Sequence, residues 1–566
     1  MKPEGRGLRL AVLLVVLGGL VLPIAAGLAG TALAAFGWLP AIGARMAGLD
    51  PWRELGDLPG LATSLRLTVF TGLGSTFLAL VLAAGCVAAM YGRIGARLRN
   101  RMLVPLLSAP HAAMAIGLAF LLAPSGWIAR GLAAITGGWA RPPEIASVND
   151  PMGLALILGL LVKEVPFLLL VMGSALGQLP VRRMEATGRA LGYGRGVVWM
   201  KVILPQVYPL IRLPVFIVLA YALSVVDMAI ILGPANPPVL AVAITRWFAA
   251  PDTRMILPAS AAALLQAGLV AGAIVLWLLM ERVVRHLGLW WLACGGRGLS
   301  SEPGLRMAGL AVAILMVLGL VALLSLLLWS FAWRWPWPMV LPESWSLRGW
   351  AGRGWVEALR ITAILGLVTT SMSLILAIAW LQGEDRARRG RAAWAQAVVY
   401  LPLLVPQVGF LYGLNVLFLS IGLPGGVLAV IWAQMLFVFP YVMIALSDPW
   451  HALDPRAERT AAALGVPPMR RLFLIKLPML TGPLLTAAAI GFAVSVAQYL
   501  PTLFMGAGRV ATLTTEAVTL SSGSDRRVAG VHAFLQAGLP FLAYAAAMGL
   551  PAILWRDRRG MHGAAS

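Results

Sequence analysis

The chain alternates long apolar runs with short polar ones. A bilayer core about 30 Å thick needs about 20 apolar residues in a helix, and runs of that length cover roughly residues 10–34, 65–90, 102–123, 152–177, 210–233, 257–280, 306–332, 357–382, 394–419, 424–447, 482–506 and 531–555. Six precede residue 295 and six follow it. The pattern predicts an all-α polytopic membrane protein of about twelve transmembrane helices in two sets of six.

Two polar stretches between these runs match one another. MEATGRALGYGRGVVWMKVILPQVYP begins at Met184, and AERTAAALGVPPMRRLFLIKLPMLTGP begins at Ala457. Glu185 precedes Gly192 by seven residues and Gly192 precedes Pro205 by thirteen; Glu458, Gly465 and Pro478 repeat both intervals. At the Gly and Pro frequencies of this chain both intervals would follow a given Glu by chance roughly once in 140, so the two matches point to an internal repeat. Each stretch reads as helix, turn, helix over 180–206 and 453–479. Gly192 and Gly465 take a left-handed turn, and Pro205 and Pro478 break the chain before it re-enters the bilayer.

A second correspondence is independent of the hairpins. LVPLLSAPHAAMAIG opens the third run and YLPLLVPQVGFLYG the ninth, with Pro110 seven residues before Gly117 and Pro406 seven before Gly413. Pro166 and Pro440 mark further irregular helices, tolerated where neighbours or water satisfy the freed backbone groups. Beside Pro166, Lys163 and Glu164 are expected to neutralise one another or to sit near a wet end, because buried ions are usually paired. The sequence thus divides into a first unit at 1–290 and a second at 307–566. A Gly, Ser and Pro-bearing linker between Glu281 and Arg306, with 291–306 as its core, suits a flexible cytoplasmic connection.

Composition agrees: 60% of residues are hydrophobic, 12% are charged, and mean hydropathy is +0.87. With the N-terminus inside, inner tails and loops carry 28 of the 44 Lys and Arg residues and outer loops 12. Both hairpins and both termini are therefore placed in the cytoplasm. The basic run Arg93, Arg97, Arg99 and Arg101 belongs to one of these inner loops. The net charge of +22 is scattered beside apolar spans, where it sets topology and meets anionic lipid headgroups, so no nucleic-acid partner is expected. Cys86 lies in an apolar run and Cys294 in a loop, which is no disulfide framework. Lys2, Arg6 and Arg9 precede the first run as in a signal peptide, but that run is too long and is read as a retained helix.

The paired hairpins resemble the cytoplasmic loop of permease subunits in binding-protein-dependent ABC importers, whose pattern is Glu-Ala-Ala, three residues, Gly, nine residues, Ile, one residue, Leu-Pro. Gly192 to Leu204-Pro205 and Gly465 to Leu477-Pro478 keep that spacing, with Val202 and Ile475 at the Ile position. The Glu departs from it: the family's slot holds Ala186 and Arg459, with Glu185 and Glu458 one residue earlier, a turn of about 100° on a helix. The resemblance covers nearly the whole chain, and two units in one polypeptide look like the fused permeases of ferric-iron and thiamine importers. It implies a type I ABC importer permease-like fold in which each hairpin is a coupling helix seated in a cleft of a cytoplasmic ATPase. Contact would fall around Tyr193 to Val198 and Val466 to Arg471. It also implies two ATPase copies and an extracytoplasmic solute-binding protein.

Catalytic chemistry is not evident. A nucleotide-binding loop needs Gly-Lys-Ser/Thr, and none of the four lysines, Lys2, Lys163, Lys201 and Lys476, follows a Gly; ATP hydrolysis is assigned to a separate subunit. The five histidines, His111, His286, His451, His532 and His562, lack metal-ligand spacing, and neither cofactor nor metal is expected. His111 is expected to bond a neighbouring helix. Path candidates lie after the hairpins: Ser224 and Asp227 in ALSVVDMAIILG, and Ser495 and Gln498 in AVSVAQYLPTLFMG, each a Ser followed three residues on by an acid or amide. Asp227 should face protein, water or cargo, because an acid near the bilayer centre costs about 2.5 to 3.5 kcal/mol. An ion-coupled secondary transporter would want more intramembrane charge than this. A membrane enzyme on lipid-linked substrate would want an acidic cluster stronger than Asp50, Glu54 and Asp57.

Overall fold

A computed structural model describes residues 6–92, 103–298, 302–386, 393–423, 425–523 and 525–554; the basic run Arg93 to Arg101 and the linker's centre, 299–301, lie outside them. Within them the regular structure is helical apart from two short two-stranded hairpins, Trp38–Leu39 with Ala44–Arg45 and Ala332–Arg334 with Ser344–Trp345. Among the described residues ten helices are long and apolar enough to cross a membrane, eleven if one bent pair counts as a span. The ninth run is the exception, because its helix stops at Leu404 and restarts at Gln407 around Pro406. About twelve spans is therefore consistent with the fold. They are numbered here α1 Gly7–Ala35, α2 Leu61–Met90, α3 His111–Leu122, α4 Leu154–Leu176, α5 Arg195–Ser224, α6 Ile256–Ala293, α7 Glu302–Phe331, α8 Gly354–Arg386, α9 Gln407–Ser420, α10 Val427–Ala452, α11 Thr481–Ala497 and α12 Arg526–Leu554.

The two sets of six interlock. α1 packs on α6 of its own set but also on α8 and α9 of the other, and α7 packs on α12 of its own set but also on α2 and α3. α4 and α10 are the most deeply buried spans and α6 and α12 among the most peripheral. Small residues permit the crossings. A Cβ on Gly413 in α9 would stand 2.2 Å from the carbonyl oxygen of Gly27 in α1, and one on Gly117 in α3 would stand 2.4 Å from that of Ala322 in α7. This explains the Pro-to-Gly interval. Pro110 and Pro406 sit at the N-caps where α3 and α9 begin, and two turns later Gly admits the crossing helix of the other set. Without an aqueous hydrophobic drive between helices, such close backbone approach is a principal source of association in lipid.

The connection between the sets is shorter than expected. α6 stays helical to Ala293, so the Glu281 end of the linker is helix. The following residues are docked, since Gly194 N–H of the first hairpin donates to the Arg297 carbonyl at 2.9 Å and Lys201 Nζ donates to the Trp291 carbonyl at 3.0 Å. The apolar stripe of α6 simply continues past the bilayer length, and the described residues that follow it, up to Gly298, pack on the hairpin.

Candidate coupling hairpins and translocation path

Both hairpins close alike. The helices Val181–Ala190 and Arg456–Ala463 run into Gly192 at φ 81° and Gly465 at φ 78°. Gly192 N–H donates to Arg189 O at 3.0 Å and Tyr193 N–H to Gly188 O at 3.1 Å; Gly465 N–H to Ala462 O and Val466 N–H to Ala461 O repeat the pattern at 3.1 and 3.0 Å. This double closure needs a left-handed residue, which Gly supplies without steric cost.

The chain then re-enters through a short helix and a five-residue π turn, Trp199–Ile203 in the first copy and Leu472–Lys476 in the second. The break expected at Pro205 is absent, because α5 runs unbroken from Arg195 to Ser224. The wide turn, closed by Leu204 N–H to Trp199 O, makes room for a ring that has no N–H to donate and would otherwise meet the carbonyl four residues back. The second copy shares the turn but bends by 79° at Leu480, two residues after Pro478.

The two glutamates point inward. Glu185 pairs with Arg195 at 2.7 Å, side chains 15% and 11% exposed, and the same guanidinium donates to the Tyr91 carbonyl at 2.7 Å and the Ala89 carbonyl at 3.4 Å at the end of α2. In the second copy Glu458 stands 3.8 Å from Lys476 and 3.9 Å from Arg471. Lys476 contacts Asp385 at the end of α8 and lies 4.2 Å from the centre of the Trp450 ring. In both copies, then, a cation on the re-entering helix joins the hairpin's glutamate to the end of the second span of its set. The slot one residue on, Ala186 and Arg459, faces outward and is exposed. Leu191 and Leu464, just before the glycines, are also exposed, at 63% and 78%, and together present an apolar tip on each hairpin. The residues after Gly192 are less open, since Val197 and Val198 are buried.

At the other end of α5 and α11 the backbone breaks inside the bundle. Val225 and Gln498 are extended, at ψ 133° and 111°, and a short helix restarts at Asp227 or Leu500. Asp227 therefore corresponds to Leu500, and Gln498 to Val225. The Ser-to-acid and Ser-to-amide match is out of register by two residues. Ser224 Oγ bonds its own helix at Ala220 O, 2.6 Å. Ser495 Oγ donates to Gln434 Oε1 of α10 at 2.5 Å, and Gln434 Nε2 donates to Thr502 at 3.1 Å. Gln498 is buried beside this network, its carbonyl accepting from Thr502 Oγ1 at 3.1 Å.

Each break has a built support. Gln266 of α6 donates to the Leu223 carbonyl at 2.5 Å; Gln536 of α12 donates to Thr514 at 2.7 Å, and Thr514 in turn to the Val496 carbonyl. Thr68 of α2 accepts from Leu240 N–H at 2.8 Å, and Thr362 of α8 from Leu513 N–H at 2.9 Å, where the chain begins a half-helix back into the bundle. These four supports escaped the motif reading, although Leu265–Leu269 and Leu535–Leu539 both read LQAGL and announce the glutamines.

Lys163 and Glu164 interact electrostatically but form no direct ion pair. Lys163 Nζ donates to the Leu106 and Ala109 carbonyls at 2.7 and 2.6 Å, groups freed where the chain breaks at Pro110. Glu164 instead meets His111 Nε2 at 3.5 Å, a contact from α4 to α3. The His111 ring lies 4.5 Å from that of Tyr221, and the Tyr221 hydroxyl donates to Asp227 Oδ1 at 3.5 Å. Tyr441 of α10 lies in electrostatic range of Glu164, and Tyr499 in range of Asp227.

No family model matches the chain. It is 31% identical over 504 residues to the inner membrane ABC transporter permease protein YnjC of Escherichia coli (strain K12), spanning 88% of this chain and 89% of that protein. It is 29% identical over 166 residues to the molybdenum transport system permease protein ModB of Azotobacter vinelandii, covering 27% of this chain and 73% of ModB. Over 183 residues it is 27% identical to the putrescine transport system permease protein PotI of E. coli K12, covering 29% of this chain and 64% of PotI. Near end-to-end similarity to a membrane permease, on a helical bundle of this kind, shows that the chain belongs to the ABC transporter permeases, the non-enzymatic, membrane-spanning subunits of those systems.

Proposed function

We propose that the chain is the membrane path of an ATP-driven importer, taking a small solute from an extracytoplasmic binding protein and releasing it inside by alternating access. Residues 1–290 and 307–566 form the two permease units, with both termini in the cytoplasm. One ATPase subunit seats on each hairpin, so the complex carries two copies. Thiamine and ferric iron, cargoes of the fused permeases that the sequence resembles, are the named candidates; ModB and PotI bear the names of molybdenum and putrescine systems.

The observation that carries this reading is the duplicated hairpin, with its matched glycine closure and its cation tying each glutamate to α2 or α8. A lever needs that construction. Its apolar tip, Leu191 or Leu464, can enter a socket on a soluble partner, and the stiff closure passes displacement to the end of a long span instead of dissipating it in loop motion. Drawing the hairpins together would rotate α2 and α8 with the interlocked α7 and α1, opening the space between the broken helices to the outside. Release of nucleotide would reverse it.

Deletion of 465–469 in the full chain tests the proposal. Uptake and copurification of the ATPase are expected to be lost while insertion into the membrane is unchanged. Normal uptake by this variant, or transport by the purified chain with no ATPase present, would overturn it.

A further inference from the structure

The group formed by His111, Glu164, Tyr221, Asp227, Tyr441 and Tyr499 has no part in holding the hairpins. Two of the six are carboxylates with little water. Glu164 is 6% exposed and Asp227 8%. Among the described residues Asp227 has no ion-pair partner within 4.0 Å, and Glu164 has His111 alone. Lys163, adjacent to Glu164 and within its electrostatic reach, directs its ammonium to backbone carbonyls. Two carboxylates in a bundle interior with one permanent cation beside them are costly, and a positively charged guest offsets that cost.

The remaining members say what sort of guest. His111, Tyr221, Tyr441 and Tyr499 are all partly exposed although they lie at helix midpoints or breaks, and Tyr221 and Tyr499 also pack on the main core. Tyr441 and Tyr499 come from the second set of helices and the other four residues from the first, which puts the group where alternating access would act. Tyrosine faces attract cations, more strongly when desolvated. Among the described residues no three His, Cys, Asp or Glu side chains converge closely enough to hold a metal ion. The rings favour a cation wide enough to touch them as well as the carboxylates.

We propose that this group is a cargo site between the two halves, built for an organic cation whose protonated amine or quaternary nitrogen lies against the tyrosine rings and is countered by Asp227 and Glu164. The inference rests on reading the chain as an importer permease and adds the charge and chemical class of what it carries.

The test uses the full chain with its ATPase in lipid nanodiscs and benzyltrimethylammonium as probe, with benzyl alcohol and benzoate as neutral and anionic controls of similar size. Saturable protection against thermal unfolding by the quaternary cation alone is expected. It should weaken roughly 10- to 100-fold in Asp227→Asn and in Glu164→Gln, the loss of one charge-assisted contact. Copurification of the ATPase should be unaffected in both variants, which also shows that they fold. Equal protection by benzyl alcohol or benzoate, protection by iron but not by the organic cation, or protection undiminished in both variants would each overturn the proposal. Failure of the ATPase to copurify with the parent chain would instead overturn the importer reading, so the two failures are told apart.

Discussion

Replacing Gly413 with alanine puts one methyl group where α9 crosses α1. The new Cβ would stand 2.2 Å from Gly27 O, 2.6 Å from Thr31 Oγ1 and 2.7 Å from Thr31 N. A comfortable carbon-to-oxygen contact is about 3.3 to 3.6 Å, so the helices must part by about 1 Å. Two of the three obstructing atoms are backbone, and no rotamer change removes them. Overpacking typically costs about 1 to 3 kcal/mol, and the rigid surroundings place Gly413→Ala near the upper figure. Gly268→Ala in α6 is the control, because a Cβ there meets nothing within 4 Å and alanine gains about 0.5 to 1 kcal/mol over glycine inside a helix. The two substitutions are identical in chemistry and should act with opposite sign. The assay is unfolding in detergent followed by a thiol-reactive dye at Cys86, which is buried, in a Cys294→Ser background that removes the exposed thiol. Gly413→Ala should unfold earlier than the parent and Gly268→Ala no earlier. A Gly413→Ala protein as stable as Gly268→Ala would refute the close crossing on which the interlock depends.

Arg195→Ala should free the first hairpin from α2 and leave Glu185 unpaired, costing roughly 1 to 3 kcal/mol; amide exchange after Gly192 should quicken, and protection equal to the parent would count against the tie. Thr68→Val and Thr362→Val keep shape but remove the acceptor for the first N–H of a half-helix, a loss of about 1 to 3 kcal/mol each, read as faster exchange at Leu240 and Leu513. Gln266→Leu should destabilise more than Gln536→Leu, because Thr514 still serves the Val496 carbonyl in the second case whereas Gln266 bonds the Leu223 carbonyl directly; the reverse order in detergent unfolding would contradict the paired supports.

The architecture was legible where one residue type has one physical reason to be present. Gly192 and Gly465 announce left-handed closures, which other side chains rarely adopt, and Pro110 and Pro406 mark helix breaks because proline has no N–H to continue the helix. Reading failed where a residue's duty depends on what lies beside it. Lys163 and Glu164 are adjacent in sequence yet point to different helices, since consecutive helical side chains diverge by about 100°. The resemblance between the Ser224 and Ser495 segments tempted an alignment by side chain, when the break in the backbone fixes the register two residues away. Pro205 reads as a stop because its missing N–H ends an α-helix, and the π turn Trp199–Ile203 just before it leaves no mark of its own in composition. The supports were hidden for a different reason. Gln266 and Thr68 act on carbonyl and amide groups of distant segments, and only a repeat as bare as LQAGL could have drawn attention to them.

The exchange of first helices has a consequence for how the protein is made. α1 is made well before its partner, since the surface against which Gly27 and Gly30 fit is α9, nearly four hundred residues later. At synthesis rates of about 5–20 residues per second, α1 waits roughly 20 to 80 s beside the translocon or in lipid with its glycine face bare. Its thoroughly apolar outer surface makes that wait tolerable. Two separately made halves would meet the same requirement by diffusion in the membrane, whereas one continuous chain keeps the partner tethered and raises its local concentration until the crossing can form.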